Sequence, residues 1–216
     1  MKKSSTKIRL VLADDEPLAR AGIRAILSRA EDIEVVGEAQ DGFETQRLVA
    51  ELHPNILLLD YQMPGPRPAD LERWVRENYS ETATLVLTAH DHQSHLAVML
   101  EAGAAGYLTK GVSENRLIDS IRLAARGVVH FNKEQLSIVQ HWNKETGQKW
   151  KSLSKRERQI LKLLALGAGN RFIADELSIS LRTAEDHVLN ILSKLEVDTR
   201  QEAATWMLKN LPDEML

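Results

Sequence analysis

Four consecutive apolar residues, Ile56-Leu57-Leu58-Leu59, run directly into one carboxylate, Asp60, and then into Tyr61-Gln62-Met63-Pro64-Gly65. A short unbroken apolar run ended by turn residues suits a strand buried on both faces, as in a parallel sheet covered by helices. Ligands of such sheets bind just beyond the carboxyl ends of the strands, which puts Asp60 at the expected site. A strand, a carboxylate and a turn in isolation could equally be a capped loop. The weight therefore rests on the residues that accompany Asp60.

The first 127 residues alternate between short apolar runs and amphipathic stretches. Ile8–Ala13 reads as a strand ending in Asp14-Asp15-Glu16, and a helix follows from Pro17, a residue favoured at the first helical position. Leu18, Ile23, Ile26 and Leu27 are expected on its inner face. Ile33–Glu38 reads as a second strand, with Asp41 capping a helix through Leu52 until His53-Pro54 stops it. Asn55–Asp60 is the third strand, and a looser helix spans about Ala69 to Asn78. Thr82–Thr88, a helix over His90–Ala102 ended by Gly103, the brief strand Gly106-Tyr107-Leu108 and a Ser113-capped helix complete the series. Five strand-helix units of this size predict an α/β, flavodoxin-like, doubly wound parallel sheet in the order 2-1-3-4-5.

That topology gathers the strand ends. Asp14, Asp15 and Asp60 converge at one edge, with Thr88 closing strand four and Lys110 just past strand five. Three crowded carboxylates resist ionising together, and a hard divalent cation with oxygen ligands relieves that cost; Mg²⁺ commonly takes one or two carboxylates with phosphate and water. A carboxylate can be the nucleophile that accepts a phosphoryl group. Mg²⁺ and Lys110 would then stabilise charge on the group in transfer, and Thr88 offers it a hydroxyl.

From about Gly127 to Ser152 the pattern weakens: Val128-Val129-His130-Phe131, a short helical stretch, then the polar run Asn143–Lys149. We read 128–152 as a linker, ordered at its start. The remainder, 153–216, reads as a small all-α, four-helix unit. Ser154-Lys155-Arg156-Glu157 is a capping box with Leu153 placed as a hydrophobic staple. Short helices follow over about Asn170–Leu177 and Leu181–Leu195, the latter with the core stripe Ala184, Val188, Ile191 and Leu195. The last begins near Thr199 and ends before Pro212.

These motifs resemble a known family. The first 127 residues are similar to a response-regulator receiver domain in Asp14-Asp15, Asp60 with Met63-Pro64-Gly65, Thr88-Ala89 and Tyr107-Leu108-Thr109-Lys110-Gly111. Residues 153–203 resemble a LuxR-type helix-turn-helix in Leu153-Ser154, Arg156-Glu157, Asn170, Ile173-Ala174, Thr183, His187, Asn190-Ile191-Leu192 and Lys194-Leu195, in the NarL/FixJ order. The resemblance implies that Asp60 accepts a phosphoryl group from a sensor histidine kinase. It implies Mg²⁺ held by Asp14, Asp15, Asp60 and the Gln62 backbone carbonyl, Lys110 as phosphate partner, and Thr88 with Tyr107 as a switch pair. It further implies binding to double-stranded DNA as a homodimer in the active form, with RNA polymerase as a further contact. The third C-terminal helix would enter the major groove through Thr183, Glu185, Asp186, His187 and Asn190. Lys155, Arg158, Asn170, Arg171, Arg182 and Lys194 would serve the backbone, which supplies affinity but little sequence information.

Three departures stand out. Glu185, Asp186 and Leu189 occupy the groove-facing positions, where the family often has a lysine at the first and a lysine or polar residue at the last. Acidic groups weaken phosphate binding, although they can accept from cytosine N4; weak monomer binding that depends on dimerisation is expected. Gly65-Pro66-Arg67-Pro68 lacks the Asp-Gly that often follows, and its prolines are expected to stiffen the loop. His90, His92 and His95 cluster after strand four; His92 and His95 could share a helix face as metal ligands, but a solvated loop is the expectation.

Bulk properties bound the alternatives. Positive charge is local at best: residues 1–127 carry 15 Lys+Arg against 19 Asp+Glu, and residues 128–216 carry 13 against 12. With no cysteine in 216 residues, disulfides and thiolate chemistry are excluded. No apolar stretch approaches the roughly 20 residues that cross a bilayer, and the basic start shows no signal-peptide core, so a cytoplasmic location with no membrane partner is expected. A phosphatase of the aspartyl-phosphate type would want a second carboxylate where Gln62 stands. An RNA binder would want exposed aromatics for stacking. A phosphorylation-independent DNA-binding or adaptor protein, its receiver used only to dimerise, is the main rival. Turnover of an external substrate is not expected; the chemistry is limited to self-phosphorylation and slow loss of that group.

Overall fold

The structure is a computed structural model that describes residues 7–89 and 92–211. It divides into two compact units, 1–136 and 137–216.

The first unit is built on five parallel strands, β1 (Ile8–Ala13), β2 (Ile33–Ala39), β3 (Ile56–Leu59), β4 (Ala83–Thr88) and β5 (Gly106–Thr109), ordered β2-β1-β3-β4-β5. Helices α1 (Pro17–Leu27), α2 (Gly42–Leu52), α3 (Pro68–Asn78), α4 (Gln93–Ala102) and α5 (Glu114–Ala124) connect and follow them. Alternate strand residues face opposite sides of a sheet. Leu10, Leu12, Ile56, Leu58, Leu85 and Leu87 pack on one side with Ile23 and Leu27 of α1 and Leu117 and Ile121 of α5. The intervening Val11, Leu57, Leu59 and Val86 are equally buried, on the side where α2, α3 and α4 supply Val49, Leu71, Val75, Leu96 and Met99. Burial on both faces is why the strands read as continuous apolar runs.

Local chemistry sets the helix starts. Asp41 and Ser113 accept from the backbone N–H groups of Glu44 and Arg116, satisfying donors that have no partner within the helix. Pro17 and Pro68 open α1 and α3. Pro68 is thus a helix-starting residue rather than only a stiffener of the loop before it. Gly65 has φ +112°, and a Cβ there would lie 3.1 Å from the Gly42 nitrogen. The Gly42 N–H donates to the Pro64 carbonyl, so the loop after Asp60 is fastened to the start of α2.

Several expectations need correction. Leu18 is 89% exposed; only Ile23, Ile26 and Leu27 of the proposed inner face turn inward. α4 begins at Gln93, with His92 at its N-cap; the expected start at His90 lies outside the described residues. The run Asn143–Lys149 is helical. A helix α6 (Lys133–Trp142) starts in the first unit and continues into the second through a π-helical turn, Asn143–Gly147, to α7 (Gln148–Ser152). Trp142, Thr146 and Gly147 are buried, which anchors a stretch whose polar sequence reads as a linker.

The second unit then holds α8 (Lys155–Ala165), α9 (Asn170–Glu176), α10 (Leu181–Leu195) and α11 (Arg200–Asn210). The Ser154–Glu157 capping box is formed and Leu153 is buried beside it. Ile160, Leu161 and Leu164 join Ile173, Ala184, Val188, Ile191, Leu195, Ala203 and Met207 among its buried residues. Among the described residues no helix is long and apolar enough to cross a membrane.

Candidate functional site

At the carboxyl edge of the sheet, β1 delivers Asp14 and Asp15, β3 delivers Asp60, and Lys110 follows β5. Backbone bonds fix each: Asp60 N–H to the Ala13 carbonyl at 2.8 Å, Asp14 N–H to Ala39 at 3.0 Å, and Lys110 N–H to Thr88 at 2.7 Å. The oxygens of Asp14, Asp15 and Asp60 come within 4.8 Å of one another. Asp14 and Asp60 are buried and Asp15 is exposed. Lys110 Nζ sits between the two buried carboxylates, 2.9 Å from Asp14 Oδ2 and 2.7 Å from Asp60 Oδ2.

Burial pushes the Asp60 carboxyl above its usual range, and the Lys110 ammonium recovers only part of that shift. Burial by itself would lower Lys110, but the hydrogen bonds and charges of Asp60 and Asp14 outweigh it and hold the ammonium above its ordinary value. Gln62 N–H donates to Asp60 Oδ1 at 3.3 Å. Thr88 is fully buried at the end of β4 and Tyr107 is buried on β5. All five strand-end residues predicted from sequence thus share one edge. An all-oxygen set of three carboxylates fits a hard divalent cation and does not fit a soft one.

Sequence reasoning missed two participants. Arg20 Nη1 donates to the Asp14 carbonyl at 2.5 Å, and Glu16 Oε2 approaches Lys110 Nζ at 4.0 Å. Glu16 adjoins the acidic pair and could have been found; Arg20 carries no motif. The solvated-loop expectation is corrected at His95. His95 lies fully buried in α4, its ring stacked on Tyr61 at 3.9 Å and 8°. Exposed His92 packs edge-on against His95, centroids 4.7 Å apart. A stacked, buried imidazole is a packing element and not part of a solvated loop.

In the second unit, α10 buries Ala184, Val188, Ile191 and Leu195 and so exposes Arg182, Thr183, Glu185, Asp186, Leu189 and Asn190, with His187 half-buried. Lys155 and Arg171 are exposed. The other residues predicted at the DNA backbone have partners within the unit. Lys194 Nζ contacts both oxygens of buried Glu157, at 2.9 and 2.7 Å, and with Ser154 this outweighs burial and holds that carboxyl below the usual range. Arg158 lies 4.8 Å over the Trp150 ring. Asn170 accepts from Arg200, which also reaches the Ala168 carbonyl.

Residues 10–122 match the response regulator receiver domain family, and residues 151–207 the family described as bacterial regulatory proteins, luxR family. The chain belongs to the response regulators, in the NarL/FixJ arrangement. It is 37% identical over 207 residues to the transcriptional regulatory protein LiaR of Bacillus subtilis, covering 94% of this chain and 98% of that one. The oxygen regulatory protein NreC of Staphylococcus carnosus is 35% identical, covering 94% and 97%. Among solved structures, response regulator ChrA of a heme-sensing two-component system is 35% identical, with TM-score 0.56 over 94% of this chain and 96% of that one. The response regulator RcsB in complex with DNA shares the fold at TM-score 0.61 and 23% identity, covering 94% and 98%. This response regulator therefore joins a receiver to a LuxR-type DNA-binding unit.

Proposed function

We propose that this regulator accepts a phosphoryl group on Asp60 from a sensor histidine kinase and thereby controls its own binding to double-stranded DNA. The observation that carries the reading is the placement of Asp60 against Asp14, Asp15 and Lys110 at one strand edge. A carboxylate oxygen of Asp60 attacks phosphorus, the bond from phosphorus to the donor breaks, and an acyl phosphate forms. Asp14, Asp15, Asp60 and the Gln62 carbonyl would hold Mg²⁺, which supplies charge neutralisation on the phosphoryl oxygens. Lys110, already paired with Asp60, shifts its ammonium to the new phosphoryl group, and Thr88 offers its hydroxyl. Thr88 and Tyr107 then bias a two-state receiver, a local charge change read by a bistable element.

The output is transcriptional control from the cytoplasm by a homodimer on paired half-sites, with RNA polymerase as a contact at the promoter. α10 reads the major groove. Exposed Glu185 and Asp186 make the single unit a weak binder, so pairing of half-sites supplies the affinity. No external substrate is turned over. A genome-wide footprint with and without acetyl phosphate and Mg²⁺ tests the reading: sites should fill on phosphorylation. Equal occupancy in both conditions would favour a phosphorylation-independent binder whose receiver only dimerises.

A further inference from the structure

Strand β5 lies at the edge of the sheet and pairs with β4 on one side only. Its backbone on the open side needs partners, and the chain beyond α5 supplies them. His130 N–H donates to the Ala105 carbonyl at 2.6 Å, and His130 bridges Gly106 in parallel sense. Gly106 permits this approach: a Cβ there would meet Leu85 Cδ1 at 2.8 Å and the His130 carbonyl at 3.3 Å. Five residues further on, Gln135 Nε2 donates to the carbonyl of Tyr107 at 2.8 Å.

The same Gln135 side chain closes the start of α6. Its Oε1 accepts from Asn132 N–H at 3.0 Å while Asn132 Oδ1 accepts from Gln135 N–H at 2.7 Å, a reciprocal cap that satisfies two first-turn donors. One amide therefore serves two masters, the carbonyl of the switch tyrosine and the first turn of the helix that leads out of this unit. At about 3.3 Å per strand residue, Tyr107 and Lys110 are about 10 Å apart along the chain. Lys110 N–H is bonded to Thr88 and its ammonium to Asp60, so movement of either pulls on the strand that Gln135 holds.

We propose that Gln135 is a positioning residue that clips the first turn of α6 to the Tyr107 carbonyl, and that phosphorylation at Asp60 releases this clip. The inference rests on Asp60 being the phosphoacceptor. A planar amide reaches both partners only while their separation is held. When β5 shifts with Thr88 and Lys110, Gln135 keeps one bond and loses the other, and the first turn of α6 loosens.

Amide hydrogen exchange on the full-length protein, with acetyl phosphate and Mg²⁺ as the probe and phosphoryl incorporation followed in parallel, tests this. In the wild type, exchange across residues 130–138 should quicken about fivefold on phosphorylation, the low end of ordinary allosteric coupling. Gln135→Glu keeps an acceptor for the Asn132 N–H but as a carboxylate cannot donate to Tyr107. It should take label like the wild type, show fast exchange before phosphorylation, and change little after it. Gln135→Ala should behave likewise with further loss of the α6 cap. Normal labelling of Gln135→Glu with a wild-type exchange response overturns the clip alone. An absence of label on the wild type overturns the phosphoacceptor reading and the clip together.

Discussion

Lys110 and Asp60 are joined by a 2.7 Å contact between ammonium and carboxylate, and the same ammonium reaches Asp14 at 2.9 Å. One cation thus holds two buried carboxylates close enough to act together. The arrangement leaves the acidic edge short of positive charge, since Asp15 adds a third carboxylate oxygen within 4.8 Å of the other two.

A divalent cation should therefore stabilise the fold. At Mg²⁺ about a hundredfold above its dissociation constant, linkage predicts a gain of about 2.7 kcal/mol in urea unfolding. Asp14→Asn combined with Asp15→Asn should abolish that gain, and a full Mg²⁺ effect in the double variant would contradict the ligand set.

Glu72 on α3 gives a pH signature unrelated to the acidic edge. Burial pushes its carboxyl up to about 7, with the Thr84 hydroxyl and Arg76 offsetting only part; neither Glu72 Oε2 nor Thr84 Oγ1 makes a hydrogen bond of normal geometry. The folded state therefore holds this proton to higher pH than the unfolded chain does. Its contribution is intact below the ordinary carboxylate range, near pH 4.5, and declines as pH rises through about 7. Glu72→Gln should remove the decline and so gain on the wild type across that window, by on the order of 3 kcal/mol at its upper end. Parallel stability curves for the two proteins would refute the assignment.

In the DNA-binding unit, two exposed-looking cations should behave differently. Lys194→Ala leaves buried Glu157 without its ammonium and should cost about 2 kcal/mol of folding stability. Arg182→Ala should leave stability unchanged and flatten the salt dependence of DNA binding by about one unit of slope. Thermal unfolding beside salt titrations of footprinted fragments separates them; equal stability losses would contradict the distinction.

The acidic groove face should be a brake on affinity. Glu185→Lys is expected to tighten binding at low salt and steepen the slope by about one. An unchanged slope would place position 185 away from the phosphates.

The alternating pattern of the first unit was legible because buried parallel strands leave continuous apolar runs, and because topology alone brings Asp14, Asp60, Thr88 and Lys110 to one edge. What escaped is what periodicity does not encode. His95 reads as polar, yet its ring faces Tyr61 and is buried. Asn143–Gly147 reads as a linker, yet its own Thr146 and Gly147 are buried, as is the preceding Trp142, and this keeps it helical. Lys194 reads as a phosphate contact because Glu157, its partner, lies 37 residues away. Gln135 and Tyr107 meet across 28 residues with no spacing rule to pair them.

Phosphoryl incorporation into intact protein from acetyl phosphate with Mg²⁺, wild type beside Asp60→Asn, tests whether Asp60 is the phosphoacceptor. The wild type should take up one hydroxylamine-labile phosphoryl group and Asp60→Asn none. Label retained on Asp60→Asn would contradict the assignment of Asp60 as the phosphoacceptor.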